Sequence, residues 1–286
     1  AFNALHPDVE AIPAYYKYSP DTYVALATAG NAPTVFESWY TEPEKLIRNG
    51  LVKDITDILE EKGWLDSMSP AIRDLLSDED GRVYGVPRDA YSLGLMINIP
   101  LFEQAGLVND DGTVKYPTTW EEVYEYSKII REKTGVAGFC MQASDAGGGW
   151  HWSNIAWNFG ANLVISNDDG SYTSNLNAPE AIAAMEWVQK MVADKCVTDD
   201  PTQENWGTGF DRIGTSTAAM YIAANDAVDQ PSYRGMKPTS SSSLPCPQAP
   251  AAHFTLTGRH PLLPSPPTLL TDEVRWALDY LEIRWA

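Results

Sequence analysis

The chain has 286 residues, 44% of them hydrophobic and 21% charged, proportions that exclude a collagen-like fibre, a coiled coil and a disordered polypeptide and suggest about two folded domains. Acidic residues outnumber basic ones 39 to 20, for a net charge of −19, which repels a phosphate backbone and sets nucleic acid and anionic membranes aside as partners. No stretch reaches the roughly 18 apolar residues of a spanning helix, and no basic-then-apolar leader opens the chain.

Taken in chain order, Phe2 and Leu5, three apart before Pro7, read as the tail of a helix that begins before the present start. Val9 to Tyr15 reads as a strand. Ser19-Pro20 then supplies an N-cap with proline at the first helical position, and Gly30 ends that helix. Pro33 to Phe36 reads as a short buried strand, which makes the first 40 residues a β-α-β unit. Short helices follow, one closed by Gly50 and one opened by Ser69-Pro70, and then two β-rich runs, Val83 to Pro87 and Leu93 to Ile99, the second closed by Pro100.

Thr119 and Glu122 make a capping box for an amphipathic helix to about Lys133, and Asn177 with Glu180 makes another for a helix through Ile182, Met185, Val188 and Val192. The Asp-Asp-Gly tripeptides at Asp110 to Gly112 and Asp168 to Gly170 are turn formers; neither continues the pattern of a calcium loop. From Pro238 to Pro267, eight prolines and the serine run 240–243 read as a loop or linker. Thr271 caps a last helix with Val274, Ala277, Leu278 and Leu281 on one stripe. Helices alternating with strands point to α/β architecture.

Catalytic chemistry has little to build on. The four histidines share no metal-ligand spacing, and the three cysteines, Cys140, Cys196 and Cys246, lie about 50 residues apart, neither a disulfide framework nor a zinc site. Gly214 to Ala218 half resembles a nucleophile elbow, but that motif needs a hydrophobic strand before it and Asn205 to Arg212 is polar and helical in pattern. Glu37 and Asp89 each follow a strand-like run and form the one carboxylate pair that a glycoside hydrolase reading would use. No cofactor and no metal are expected.

The aromatic residues say more. Ten Trp and fourteen Tyr against seven Phe favour rings with a polar handle. Trp39 and Tyr40 end the second strand, Tyr91 follows Arg88 and Asp89, and Trp150-His151-Trp152 follows a glycine triplet read as a loop; Trp157 and Trp206 complete the set. Sugars are held by stacking on flat rings while carboxylates, amides and guanidinium groups take their hydroxyls. Trp64, Trp120, Trp187 and Trp276 read as packing residues. For Trp39, Trp150 and Trp152, binding and packing both remain open.

The order of motifs resembles the sugar-binding, maltose-binding-protein-like family of extracytoplasmic solute-binding proteins of ABC importers. The run from Tyr23 to Phe36 carries that family's opening signature. Gly50 to Thr56, Tyr84 to Pro87, Gly94 to Asn98, Leu101 to Leu107, Pro117 to Glu122, Asn177 to Ala181 and Ala218 to Ile222 follow in family order. The resemblance implies two α/β lobes with a ligand cleft, the first formed by residues 1–98 with 250–286 and the second by residues 99–249. It also implies that a first strand and most of a first helix precede Ala1, and that closing helices of the second lobe follow Ala286.

Carried over by position, Glu37, Trp39 and Tyr40 line the first-lobe wall, followed by Arg88, Asp89 and Tyr91; Trp150 and Trp152 line the second, with Asn225 and Asp226 after the Ala218 to Ile222 strand and Gly258 on the cleft floor, and Trp206 joins these ligand-binding candidates from the aromatic set alone. Arg259 stands where the family's ligand loop has a second glycine. The implied function is non-catalytic: a monomeric, exported receptor, periplasmic or lipid-anchored, that closes on a mono- or oligosaccharide and delivers it to a membrane permease.

Overall fold

The structure is a computed structural model that describes residues 2–12, 18–87, 91–224, 227, 229–230, 236, 241–245, 256–257 and 259–262. It divides into two units, residues 1–90 with 257–286 and residues 91–256.

The first unit opens with α1 (Phe2–Leu5) and α2 (Pro20–Thr28). Ser19 is extended, Pro20 presets the first helical φ, and Gly30, at φ 72°, lets the chain leave the helix in a left-handed turn. Of the strand expected over Val9 to Tyr15, residues 9–12 carry none, and Pro13 to Tyr15 lie outside the described residues. Strand β1 (Phe36–Trp39) starts three residues later than the predicted run and pairs antiparallel with Arg259–Leu262, Phe36 opposite Leu262 and Trp39 opposite Arg259. Helices α3 (Pro43–Arg48), α4 (Thr56–Glu61) and α5 (Pro70–Leu75) surround a core of Tyr23, Phe36, Leu46, Ile55, Leu59, Leu76 and Val83, with the Tyr23 and Phe36 rings stacked 4.0 Å apart.

The expected run Val83 to Pro87 is no strand. Val83 makes an isolated bridge to Ser77 and is held from the other side by Ile55 N–H donating to its carbonyl and by its own N–H donating to Thr56 Oγ1. Asp54 anchors this corner by accepting from Thr56 N–H, Thr56 Oγ1 and Arg82 Nε. Burial works to raise the Asp54 pKa, and these bonds outweigh it and hold the carboxyl below the usual range.

The second unit is built on a sheet in the order β3-β6-β2-β7, from β2 (Tyr91–Asn98), β3 (Ala137–Cys140), β6 (Ala218–Ala224) and β7 (Ser241–Pro245). A separate hairpin, β4 (Val164–Ser166) with β5 (Tyr172–Ser174), stands exposed. The division between units therefore falls after Ala90, where a break after Asn98 was expected. The reason is pairing: β2 is hydrogen-bonded antiparallel on one side to β6 and on the other to β7. The predicted linker 238–267 likewise contains paired strand at 241–245.

Asn98 turns β2 into α6 (Ile99–Gln104), its Oδ1 accepting from Leu101 N–H at 3.2 Å while its Nδ2 donates to the Ile213 carbonyl at 3.1 Å. Pro100 thus opens a helix as well as closing a strand.

Helix α7 (Trp120–Thr134) is capped by Thr119, whose Oγ1 accepts from Glu122 N–H; Glu122 reaches back one residue further than a standard box, to Thr118 N–H and Oγ1. It ends at Gly135, φ 78°. The second predicted box does not form: α9 (Pro179–Ala193) starts after Ala178 with no side-chain cap, because Pro179 occupies the first position and displaces Asn177 by one residue.

Leu93, Leu95 and Ile97 of β2 face a core shared with Phe102, Trp120, Val123, Ile155, Trp187 and Met191, while Met96 faces Cys140, Phe210, Ile213 and Tyr221 on the other side. All seven residues of β6 are buried, as a strand covered on both faces requires.

Candidate ligand-binding site

Alternation along β1 sorts the first-unit candidates. Phe36 and Ser38 point inward and Glu37 and Trp39 outward, so a carboxylate and an indole share one exposed strand face. Trp39 is 39% exposed and stands edge-on to Tyr18, ring centres 5.4 Å apart, which holds the indole without burying it. Tyr18 in turn reaches Glu42. Tyr40, expected on the wall, is buried. Arg88 and Asp89 lie outside the described residues, as do Asn225, Asp226 and Gly258; of Tyr91 only the backbone is described, at the start of β2.

In the second unit the glycine triplet Gly147 to Gly149 is not a loop. It lies in the first half of α8 (Asp145–Asn158), so Trp150 and Trp152 are helical residues. Glycine costs about 1 kcal/mol relative to alanine inside a helix. Here close approach requires it at one position, since a Cβ on Gly148 would sit 2.9 Å from the Ala143 backbone. The helix is held by burying His151, Asn154, Ile155, Ala156 and Asn158.

Trp150 and Trp206 come together from two helices, α8 and α10 (Trp206–Gly214), with centroids 5.6 Å apart and planes at 80°. Both are half-buried. Trp150, Trp152 and Trp206 all pack against the core, and Trp152 Nε1 is buried with no hydrogen-bond partner among the described residues. Trp120 and Trp187 are core residues as expected, with Trp187 Nε1 donating to the Trp120 carbonyl at 2.9 Å.

Three residues behind the indoles escaped the sequence reading. Tyr221, fully buried in β6, donates its hydroxyl towards Gln142 Oε1 at 3.1 Å and the Trp206 carbonyl at 3.3 Å. His151 lies over the Tyr221 ring, centroids 5.7 Å apart and planes 24° apart, with both imidazole nitrogens buried and unpartnered among the described residues. Burial pushes its pKa down to about 3. Glu204 is 1% exposed and pairs with Arg212 at 2.9 Å. One signal was available: Tyr221 is the lone ring with a polar handle in an otherwise aliphatic run, and a buried Tyr needs a hydroxyl partner.

The remaining motifs resolve as structure. In the Asp-Asp-Gly turns, Asp111 accepts from Thr113 N–H and Oγ1, and Asp169 from Ser171 N–H and Oγ, with Gly112 and Gly170 at positive φ. Among the described residues no group of three or more His, Cys, Asp or Glu is placed to hold a metal ion. Ser216 sits in a helix-to-strand turn between α10 and β6, the reverse of a nucleophile elbow, and its Oγ accepts from Asn98 Nδ2. Burial of Cys140 and Cys196 raises both thiol pKa values, Cys196 to about 11, so neither is an activated nucleophile.

A sequence profile of the family described as bacterial extracellular solute-binding protein matches residues 1–238. The lactose-binding protein of Rhizobium radiobacter is 29% identical over 128 residues, which cover 45% of this chain and 28% of that protein. Among solved structures, the GacH receptor of Streptomyces glaucescens, determined unliganded and with acarbose, superposes with a TM-score of 0.78 at 18% identity, covering 96% of this chain and 68% of that one. Maltose-bound MalE3 of T. maritima gives 0.77 at 20% identity, covering 96% and 69%. The match thus spans little more than a quarter of the length of that curated relative. The structural likeness is one of fold, a two-lobe α/β architecture.

Proposed function

The chain belongs to the family of bacterial extracellular solute-binding proteins, and on that premise we propose that it is the carbohydrate receptor of an ABC importer, acting outside the cytoplasm without catalysis. The observation that carries the sugar assignment is the pair of half-buried indoles Trp150 and Trp206, set at 80° to one another. A half-buried indole offers a flat apolar face and a polar N–H, which suits the apolar C–H face and hydroxyl rim of a pyranose. In the first unit, Glu37 beside exposed Trp39 provides the complementary kind of group, a hydroxyl acceptor next to a stacking ring. That the lactose-binding protein and maltose-bound MalE3 are similar to this chain supports the same reading.

On this proposal a mono- or oligosaccharide binds a closed arrangement of the two units more tightly than an open one and shifts the equilibrium by that difference. A membrane permease reads the closed form. The protein acts as a monomer, free in a periplasm or lipid-anchored; among the described residues no helix is long and apolar enough to cross a membrane. Arg88, Asp89, Tyr91, Asn225, Asp226 and Gly258 remain part of the proposed wall by position in the family.

The test is a glycan panel read by intrinsic tryptophan fluorescence, with chromatography of the sugar after long incubation. Saturable binding with the sugar recovered intact is expected, together with a smaller radius of gyration in solution scattering. Products accumulating in proportion to protein would overturn the receptor reading in favour of hydrolysis, and binding without compaction would remove the closure step.

A further inference from the structure

Tyr221 touches both helices that carry the two indoles. On the α8 side its ring lies under His151, the residue next to Trp150. On the α10 side it meets Trp206 at 6.0 Å and Phe210 at 5.5 Å, and its hydroxyl lies 3.3 Å from the Trp206 carbonyl. Gly209 makes this approach possible: a Cβ there would lie 2.2 Å from Tyr221 Cζ, inside the ring's own volume. The second hydroxyl contact, to Gln142 Oε1 at 3.1 Å, ties the same atom to the segment that follows β3. The start of α10 is fixed independently, since Asn205 Oδ1 accepts from Gly207 and Thr208 N–H while Thr208 Oγ1 accepts from Asn205 N–H. Trp206 is thereby held at its backbone by a capping box and at its carbonyl and ring by Tyr221.

We propose that Tyr221 is a positioning residue for ligand binding: it contacts no ligand, being fully buried, and it sets the angle between Trp150 and Trp206 by seating α8 and α10 against one post. The inference rests on the reading that a sugar binds at these indoles. Its consequence is that affinity depends on a hydroxyl beneath the binding surface. Preorganised rings bind more tightly than rings that must be ordered on contact.

The experiment uses the full chain and the tightest-binding member of a panel of maltose, lactose, cellobiose and laminaribiose. Tyr221→Phe keeps the buried ring and removes only the hydroxyl, and Ile130→Val, buried in α7, which carries neither indole, serves as the stability control. Tyr221→Phe should bind the sugar about three- to tenfold more weakly, the range one lost hydrogen bond spans, and should change the near-ultraviolet circular dichroism of the tryptophans before ligand is added. Ile130→Val should lower the melting temperature with affinity unchanged. In the Trp206→Ala background, Tyr221→Phe should have no further effect, because the ring it positions is gone.

If Trp206→Ala weakens binding while Tyr221→Phe binds as the parent does, or if the two losses simply add, the positioning role is wrong and the site stands. If Trp150→Ala and Trp206→Ala both bind as the parent does, or no sugar binds, the site reading fails and takes the positioning role with it.

Discussion

The most discriminating stability experiment concerns His151. Its side chain is fully buried between Tyr221 and Phe139, and burial alone pushes its pKa down to about 3. Burial is the one cause acting on the ring, with no charge offsetting the cost of an imidazolium. In the unfolded chain the ring takes its proton near pH 6.5. Below that pH the unfolded state binds more protons than the folded one, and stability is lost as pH falls from about 6.5 towards about 3.

Each pH unit in that window removes about 1.4 kcal/mol, so at pH 4.5 roughly 2.7 kcal/mol is gone relative to neutral pH, and near the folded pKa the loss approaches roughly 5 kcal/mol. His151→Phe removes the titration while keeping a ring against Tyr221. Any overpacking from the larger ring is independent of pH and cancels when the two proteins are compared across pH; so do the carboxylates and the other histidines. Urea unfolding followed by circular dichroism at pH 7.5, 6.0, 5.0 and 4.5 provides the comparison. The parent should lose about 2.5–3 kcal/mol more than the variant between pH 7.5 and 4.5. Parallel pH profiles, differing by less than about 0.5 kcal/mol, would show that His151 is partnered or hydrated in the folded protein and would refute the argument from burial.

Trp150→Ala should weaken sugar binding by about 1–3 kcal/mol and lower the melting temperature less than Trp187→Ala, since the indole is only half-buried, whereas Trp187→Ala should cost about 3–5 kcal/mol of stability through its cavity and the lost bond to the Trp120 carbonyl, with affinity intact; fluorescence titrations and thermal melts separate the two. Gly209→Ala should destabilise by at least about 1–3 kcal/mol in urea unfolding, because the added methyl lands on the Tyr221 ring; a neutral outcome would mean α10 can lift off the sheet freely. Asp54→Asn should cost about 1–2 kcal/mol at pH 7, since an amide oxygen replaces a carboxylate accepting three bonds. Because the folded pKa of Asp54 is depressed, the parent's advantage is present above the unfolded value and should shrink as pH falls below about 4.

Local chemistry was legible in the sequence wherever a few neighbouring residues decide the outcome. Ser19-Pro20 and Gly30 bound α2, Thr119 and Gly135 bound α7, and the Asp-Asp-Gly turns form because an aspartate reaches its own backbone two residues on. The α/β class and the family were likewise readable, since ordered motifs survive without any knowledge of contacts. What the sequence alone could not decide depends on atoms distant along the chain.

The glycine triplet reads as a loop by propensity, yet the packing of α8 against Ala143 and the core makes it helical, and so seats Trp150 and Trp152 on the core and sets Trp150 against Trp206. Strand β2 belongs to the second unit because its backbone groups find partners in β6 and β7, which no periodicity reveals. Tyr221 shows the limit most plainly. A buried aliphatic run announces a strand, but which rings lie over its single tyrosine depends on helices 15 and 70 residues away, at Trp206 and His151. Helix caps and turns are paid for within one or two turns of chain, whereas packing free energy is settled only when sequence-distant side chains exclude the same water.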